Sequence, residues 1–460
     1  MQKHLKICVN SQTPVIRFKL TLDELMEKYG KIEDPVAPQN LEEGVDYDFS
    51  PGGVTAMVYP MLKRLLQTGR VSKAYWVSLG VNFPPRVLMD GIIVSHVEIE
   101  TGTLKRYTAY KERLWNELHG LGEGKFEEQD YFAYVKYSTS NVEKLLELVE
   151  DVDLFDIQDF QQLLVGGLIG PSAPAVLRWH VPFSPESLSQ KTHHFVIKAM
   201  EGFDAVVVST RRDLEGLIRS SFRGVAYQIY PFVDPTEWNG LTKEAAQEFR
   251  DQVGLRPDEK LLSLVARMDR IKSQDVAIRA LSRLKGKEKL RLALIGNGSF
   301  SSSERGGLSY GKAAGWRAEL EELARQLGVA ENVTFVGHAT KRTLEAAYGI
   351  SCAVLLTSSI EGFGITVLEG WLHRKPVVVS SGTGASELVV DGVNGYVFRA
   401  GDDAELAEKL LLCMGERGER MGNAGFESSK RCHLAESSER MAQVYEEVSS
   451  RFGASGGRHP

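Results

Sequence analysis

Residues 357–369 read T-S-S-I-E-G-F-G-I-T-V-L-E. An apolar run at 353–356 leads into them, and a helical pattern starts near Ile365. A strand therefore ends in a polar glycine loop that opens a helix. Glu361 precedes that helix, and Glu369 lies eight residues on, inside it. Backbone N–H groups of Gly362, Phe363 and Gly364 at such a start are expected to point at an anion. Eight helical residues would span about 12 Å at about 1.5 Å each. That is the reach needed to touch both ends of a sugar–diphosphate–ribose ligand. A capped helix with two solvent-facing glutamates would show the same spacing, but the strand and glycines around it favour a binding site.

A second group of residues lies in V-A-R-M-D-R-I-K-S-Q-D at 265–275. Arg267 and Lys272 follow an apolar run and precede a helical pattern at Gln274. Two cations at the carboxyl end of a strand suit a diphosphate. Alone they would pass for ordinary surface charge; beside the Glu361/Glu369 loop they form a set. Gly296-Asn297-Gly298 invites a dinucleotide reading, but the pattern wants a glycine at 301, which is Ser301. It reads instead as a loop after a strand. His193 and His194 fall in a helical pattern and read as structural or surface groups. There is no H-E-x-x-H and no D-x-D at a strand end. No metal is expected to be required.

Such residues need elements to hold them. Short apolar runs alternate with helical patterns along the chain, at 152–155, 175–179, 204–208 and 225–229, then at 261–266, 291–295, 333–336, 353–356 and 376–380. Helical patterns occupy 274–284, 317–327 and 341–348. This alternation means βαβ units and parallel sheets. Near the N-terminus, L-K-I-C-V at 5–9 opens as a strand. S-P-G-G at 50–53 opens a helix that Pro60 should kink or interrupt. Residues 299–315 read as a mobile surface loop, and the final G-A-S-G-G-R-H-P as a disordered tail. The turn-rich 231–240 divides the chain, so the expected divisions are 1–235, 236–432 and 433–460, the last with a flexible tail. Ligands of such sheets sit beyond the carboxyl ends of the strands.

Composition sets the outer limits. The chain has 460 residues, 43% of them hydrophobic and 25% charged, which suits more than one globular domain. A net charge of −6 argues against non-specific nucleic-acid binding. Cys8, Cys352, Cys413 and Cys432 form no C-x-x-C pair, which suits a reducing cytoplasm. No run approaches the roughly 18 apolar residues of a membrane helix. The opening residues do not read as a signal peptide.

The two segments, in this order and spacing, resemble the retaining GT-B glycosyltransferases of family 4. That family shows a strand followed by R-x-x-x-x-K, then E-G-F-G-x-x-x-x-E. The likeness covers about residues 255–400, including G-N-G at 296–298, V-G-H at 336–338, R-K-P-V-V-V at 374–379 and G-x-x-E-L-V-x-D-G-x-N-G at 384–395. It implies two doubly wound Rossmann-like α/β domains facing across a cleft, 1–235 on the acceptor side and 236–432 for the nucleotide sugar, with a helix in 433–460 crossing back to the first domain. It also implies that Arg267 and Lys272 hold a nucleotide diphosphate and that Glu361 faces the donor sugar. Phe363 and Gly364 would lie near the sugar or phosphate, with Gly362 and Ile365 in the same loop. Thr366 and Val367 would border the diphosphate, Glu369 would take the ribose hydroxyls, and Gly337 would lie near the base. Gly52 and Gly53 match the family's first glycine loop, although about forty residues separate them from the first strand. His180, in V-L-R-W-H-V-P, matches the histidine near the reacting sugar.

A narrower likeness is to the trehalose-forming glycosyltransferring synthases, carried by I-Q-D-F-Q at 157–161, R-W-H at 178–180 and P-F-V-D-P-T-E-W-N at 231–239. Their H-D-P-Q is Gln158-Asp159-Phe160-Gln161 here. Asp159 and Gln161 keep groups suited to acceptor hydroxyls, while the histidine and proline are replaced. The resemblance thus implies an enzyme moving a hexose, with glucose first, from a nucleotide diphosphate sugar to a hydroxyl acceptor, with retention. The nucleotide sugar is a co-substrate and no bound cofactor is implied. Free glucose, giving trehalose, is one acceptor; a lipid or glycan is another. A nucleotide-sugar-binding protein without turnover and a sugar phosphorylase are the rival classes, and a homodimer stays open.

Overall fold

The computed structural model describes residues 4–49, 53–80, 83–122, 125–238, 240–297 and 310–454. Gly52, Gly298, Ser301 and the final six residues lie outside them, as does most of the loop expected at 299–315. Two compact units emerge: Met1–Tyr230 with Ser437–Pro460, and Pro231–Glu436.

The strands of the first unit are β1 (Leu5–Ser11), β2 (Ile16–Phe18), β3 (Tyr47–Phe49), β4 (Val71–Leu79), β5 (Val87–Met89), β6 (Ile92–Val97), β7 (Leu154–Gln158), β8 (Ala175–Trp179), β9 (Ala205–Val208) and β10 (Ala226–Gln228). Eight of them form one sheet in the order β10-β9-β8-β7-β1-β4-β6-β5. Only β5 runs antiparallel within it, against β6, while β2 and β3 pair separately. All five residues of β7 and of β8 are buried, as expected of parallel strands covered on both faces. The helix Leu434–Ala454 ends the described chain. From Ser437 on it packs in this unit, where Tyr445 donates to Asp156 at 2.7 Å and Arg440 donates to the Gln228 carbonyl at 2.7 Å.

The second unit holds β11 (Lys260–Val265), β12 (Leu290–Ile295), β13 (Val333–Gly337), β14 (Ser351–Leu356), β15 (Val377–Ser380) and β16 (Gly395–Phe398). They form an all-parallel sheet in the order β13-β12-β11-β14-β15-β16. Leu262, Leu264, Leu292, Leu294 and Leu355 pack with Ile278, Leu281 and Leu406 in its main core. Both sheets are doubly wound. Strand order reverses between β1 and β7 in the first unit and between β11 and β14 in the second. Ligand crevices form outside the carboxyl ends at such switch points.

Three expectations need correction. Helix Gly53–Gln67 runs through Pro60 without interruption. Proline removes one backbone hydrogen bond, but burial of Val58, Met61, Leu62 and Leu65 on either side of it holds the helix. The segment from residue 310 is a helix, Tyr310–Gln326, and not a loop. Its small residues hide the apolar period, yet Ala313 and Leu320 are buried in the main core and Trp316 Nε1 donates to Gln274 at 2.9 Å. Finally, the helix after the glycine loop is only Thr366–Leu372. Glu361 lies off it, so the 361–369 separation is not eight helical rises and the reach of about 12 Å does not apply.

Candidate functional site

In the second unit, the two motifs leave the sheet on either side of its switch point. Arg267 follows β11 and Glu361 follows β14, and these strands are hydrogen-bonded neighbours. The loops are stitched together by backbone acceptors. Thr357 Oγ1 donates to the Lys272 carbonyl at 2.7 Å. The Ser359 N–H donates to the Ile271 carbonyl at 2.8 Å. Thr366 Oγ1 reaches the Val265 carbonyl at 3.2 Å. On the other flank Glu361 forms a parallel bridge with Thr383, its N–H donating to Gly382 and its carbonyl accepting from Gly384, each at 3.1 Å. Gly382 is required here, because a Cβ would lie 2.0 Å from the Ser359 carbonyl oxygen. Gly364 takes φ +100, and a Cβ there would meet Leu356 at 2.3 Å.

This scaffold brings the charges together. Lys272 Nζ lies 2.8 Å from Glu361 Oε1, with side chains 12% and 22% exposed. Ser358 Oγ donates to Glu361 Oε2 at 2.7 Å. Burial pushes the Glu361 pKa up, but Lys272, Ser358 and the Arg267 charge outweigh it and hold the carboxyl below its ordinary range. Arg267 pairs with Asp269 at 3.2 Å. Burial lowers the Arg267 pKa against the pull of Asp269 and Glu361. The N–H groups of Gly362 and Gly364 have no acceptor among the described residues. Phe363 is buried, and its carbonyl accepts from Ala385 at 2.8 Å. Ile365 is 39% exposed beside them.

Glu369 sits in different surroundings. Burial raises its pKa, only partly offset by the Tyr348 hydroxyl, which donates to Oε2 at 2.5 Å. The Tyr348 ring meets Trp238 edge-on and lies tilted against His373. Gly337 ends β13 at φ +78 with open space where a Cβ would project, and its carbonyl accepts from Gly296 at 2.8 Å. Gly296 itself has φ +134 and approaches the Ala266 carbonyl so closely that a Cβ would lie 2.2 Å from its oxygen. Gly296 and Asn297 therefore form a tight β12 exit packed on the exit of β11.

In the first unit, the residues singled out cluster after β7 and β8. Asp159 is buried at φ +67, and its Oδ1 accepts from the His180 N–H at 3.0 Å. Burial raises its pKa to about 6, against backbone hydrogen bonds from His180, Phe160 and Val181. Its carboxylate thus holds the exit of β8. Gln161 is half-buried with no hydrogen-bond partner among the described residues. His180 Nε2 lies 2.9 Å from Gln158 Oε1. Burial and then the Arg178 charge push the His180 pKa well below the usual histidine range. Gly53 opens its helix, and a Cβ added to it would meet nothing within 4 Å.

Sequence reading missed Ser358, Asp269, Tyr348 and the Gly382 turn. Ser358 and Asp269 lie within the two motifs, so their position was the available signal. Tyr348 reaches Glu369 only through tertiary packing. Among the described residues, no group of three or more His, Cys, Asp or Glu could hold a metal ion, and no helix is long and apolar enough to cross a membrane.

Known proteins bear on this arrangement. The model of the family described as Glycosyl transferases group 1 matches residues 245–427. A D-inositol 3-phosphate glycosyltransferase of Nocardia farcinica is 28% identical over 226 residues, 48% of this chain and 47% of that one. The chain spans about half the length of the curated relatives it matches. Among solved structures, HepE of Anabaena in complex with UDP and glucose is 18% identical, with TM-score 0.67 over 96% of this chain and 100% of that one. A UDP-forming α,α-trehalose-phosphate synthase of Burkholderia vietnamiensis is 16% identical, with TM-score 0.72 over 98% and 99% of the two chains. At these identities the likeness establishes the fold, which is the GT-B type with two Rossmann-like parallel-sheet units.

Proposed function

We propose, from the group 1 glycosyltransferase module carried by residues 245–427, that this protein transfers a hexosyl group from a nucleotide diphosphate sugar to a hydroxyl acceptor with retention. Uridine diphosphate glucose is the first donor to test, since HepE of Anabaena was solved with UDP and glucose. The observation that carries the reading is the Lys272–Glu361 pair, with Arg267 beside it, at the switch point of the second sheet.

Leaving-group departure breaks the bond between the anomeric carbon and the diphosphate oxygen, and negative charge builds on that oxygen. Arg267 and Lys272 stabilise it, and preorganised charges of this kind act mainly in the transition state. The N–H groups of Gly362 and Gly364 add fixed dipoles. Glu361, kept ionised by its cations, accepts from donor-sugar hydroxyls and orients the ring; it is not a nucleophile. The acceptor hydroxyl attacks from the face the diphosphate leaves, and its proton passes to the departing phosphate oxygen. Glu369 takes the ribose hydroxyls on the oxygen that Tyr348 leaves open, and Gly337 leaves room for the base. The chemistry as drawn uses no metal.

The first unit supplies the acceptor side through His180, Gln161 and the loop that Asp159 holds. Free glucose, giving trehalose, is the narrow form of the reading, supported by the trehalose-phosphate synthase among the structural neighbours. Lys272→Ala and Glu361→Ala should each lower turnover by about 10²–10³ while the circular-dichroism spectrum and melting profile keep their folded form. Near-normal turnover in both would defeat the reading.

A further inference from the structure

We infer that Gln158 is a positioning residue that fixes His180 as its Nε2–H tautomer, leaving Nδ1 as the acceptor that a ligand hydroxyl meets. The inference deepens the proposed function and rests on His180 as a sugar-facing group.

The geometry begins with strand periodicity. Asp156 and Gln158 lie two residues apart in β7 and so share one face of the sheet. Both are fully buried, at 0% and 1% exposure. Gln158 pairs in register with Arg178 of β8, two residues before His180. Gln158 Oε1 lies 2.9 Å from His180 Nε2. An amide oxygen only accepts, so the hydrogen in this bond belongs to the imidazole. A neutral imidazole has one N–H, so a proton on Nε2 leaves Nδ1 with its lone pair. Nδ1 has no partner among the described residues.

Asp156 sets which way round the amide lies. Its carboxylate interacts with the Gln158 side chain. Asp156 Oδ1 and Gln158 Nε2 are both buried, and neither makes another hydrogen bond or one of good geometry to the other. Turning the amide over would aim Gln158 Oε1 at that carboxylate, setting two buried acceptors against each other. Asp156 is anchored in turn by the Tyr445 hydroxyl at 2.7 Å. Two hydrogen bonds, Tyr445 to Asp156 and His180 to Gln158, thus flank the neighbouring Asp156 and Gln158 side chains in the interior of the first unit, while the His180 backbone is held by Asp159. The departure from H-D-P-Q acquires a physical meaning. A histidine at 158 could present His180 with a donor or an acceptor; a glutamine oriented by Asp156 presents an acceptor alone.

The test is nitrogen-15 NMR of the full chain labelled at histidine, with His180→Gln identifying the resonances. His180 should show a pyrrole-like Nε2 and a pyridine-like Nδ1. Gln158→Met keeps the volume but loses the amide, and should move both nitrogens towards averaged values. Gln158→Glu keeps an acceptor and should retain the Nε2–H form. In transfer assays Gln158→Met should lose about tenfold in kcat, the scale of one hydrogen bond, and Gln158→Glu should recover part of it. A proton on Nδ1 in the natural protein, or unchanged nitrogens in Gln158→Met, would overturn the inference. If Gln158→Met does not fold, the natural and Gln158→Glu spectra still decide. Absence of transfer with every donor would instead defeat the proposed function, because the spectra need no turnover.

Discussion

The carboxyl edges of the two sheets present opposite chemistry, at the switch-point pair β11 and β14 in the second and at β7 and β8, on one side of the switch point, in the first. At β11 and β14 the side chains are charged: Arg267 pairs with Asp269, and Lys272 with Glu361. At β7 and β8 they are amides, a neutral imidazole and an aspartate spent on backbone N–H groups. On the proposed reading, one edge balances charge on a ligand and the other exchanges hydrogen bonds with uncharged groups. A doubly wound sheet thus sets the edge at which a ligand sits, while the residues just past its strands set which kind suits it.

That contrast can be broken at several levels. The largest effect belongs to Lys272→Ala and Glu361→Ala, described above. Next comes Tyr348→Phe, which removes the hydroxyl that orients Glu369. It should raise KM for the nucleotide sugar about tenfold with kcat little changed, because a ribose contact is made equally in ground and transition states. Steady-state kinetics at varied donor checks it; a fall in kcat with KM unchanged would move Tyr348 into the chemistry.

The smallest effect concerns stability. Burial raises Asp159 from 3.8 to about 6 in the folded chain. The folded state then holds the proton more tightly than the unfolded one. The resulting contribution is fully present below about pH 3.8 and is lost as pH rises through about 6. Asp159→Asn should flatten the decline in unfolding free energy over that window, by on the order of 1–3 kcal/mol. Asp156, also raised to about 6 by burial, still titrates, so some slope stays. An unaltered slope in urea titrations across pH would show that Asp159 is not the group responsible.

Much of this was legible in the sequence because the relevant signals are local. Each apolar run falls on a strand, and 274–284 coincides with the helix Gln274–Leu284. Arg267, Lys272 and Glu361 could be read as one group because each lies just past a strand, and the structure does bring them together. Local patterns misled where packing overrides them. Pro60 stays inside a helix that its neighbours bury. Small residues from Tyr310 conceal a helix that Ala313 and Leu320 anchor. The partnership of Tyr348 with Glu369 spans 21 residues and depends on how two helices pack, and that of Gln158 with His180 spans 22 and depends on strand register. Register is set by the whole sheet and is not written in either segment alone. The Asp159 carboxylate gave a converse lesson. Its type suited a sugar hydroxyl, yet the structure engages it with the His180 backbone and leaves Gln161 the more open of the two.

The whole reading depends on the second sheet's charged edge activating a nucleotide diphosphate sugar. The most direct test incubates the protein with a panel of nucleotide sugars, with and without free glucose, and identifies every product by mass. At least one donor should release a nucleoside diphosphate, and a hexosylated product should appear only with acceptor, with trehalose from glucose supporting the narrow form. Intact donors throughout, with no nucleotide released and no glycoside formed under any condition, would contradict it.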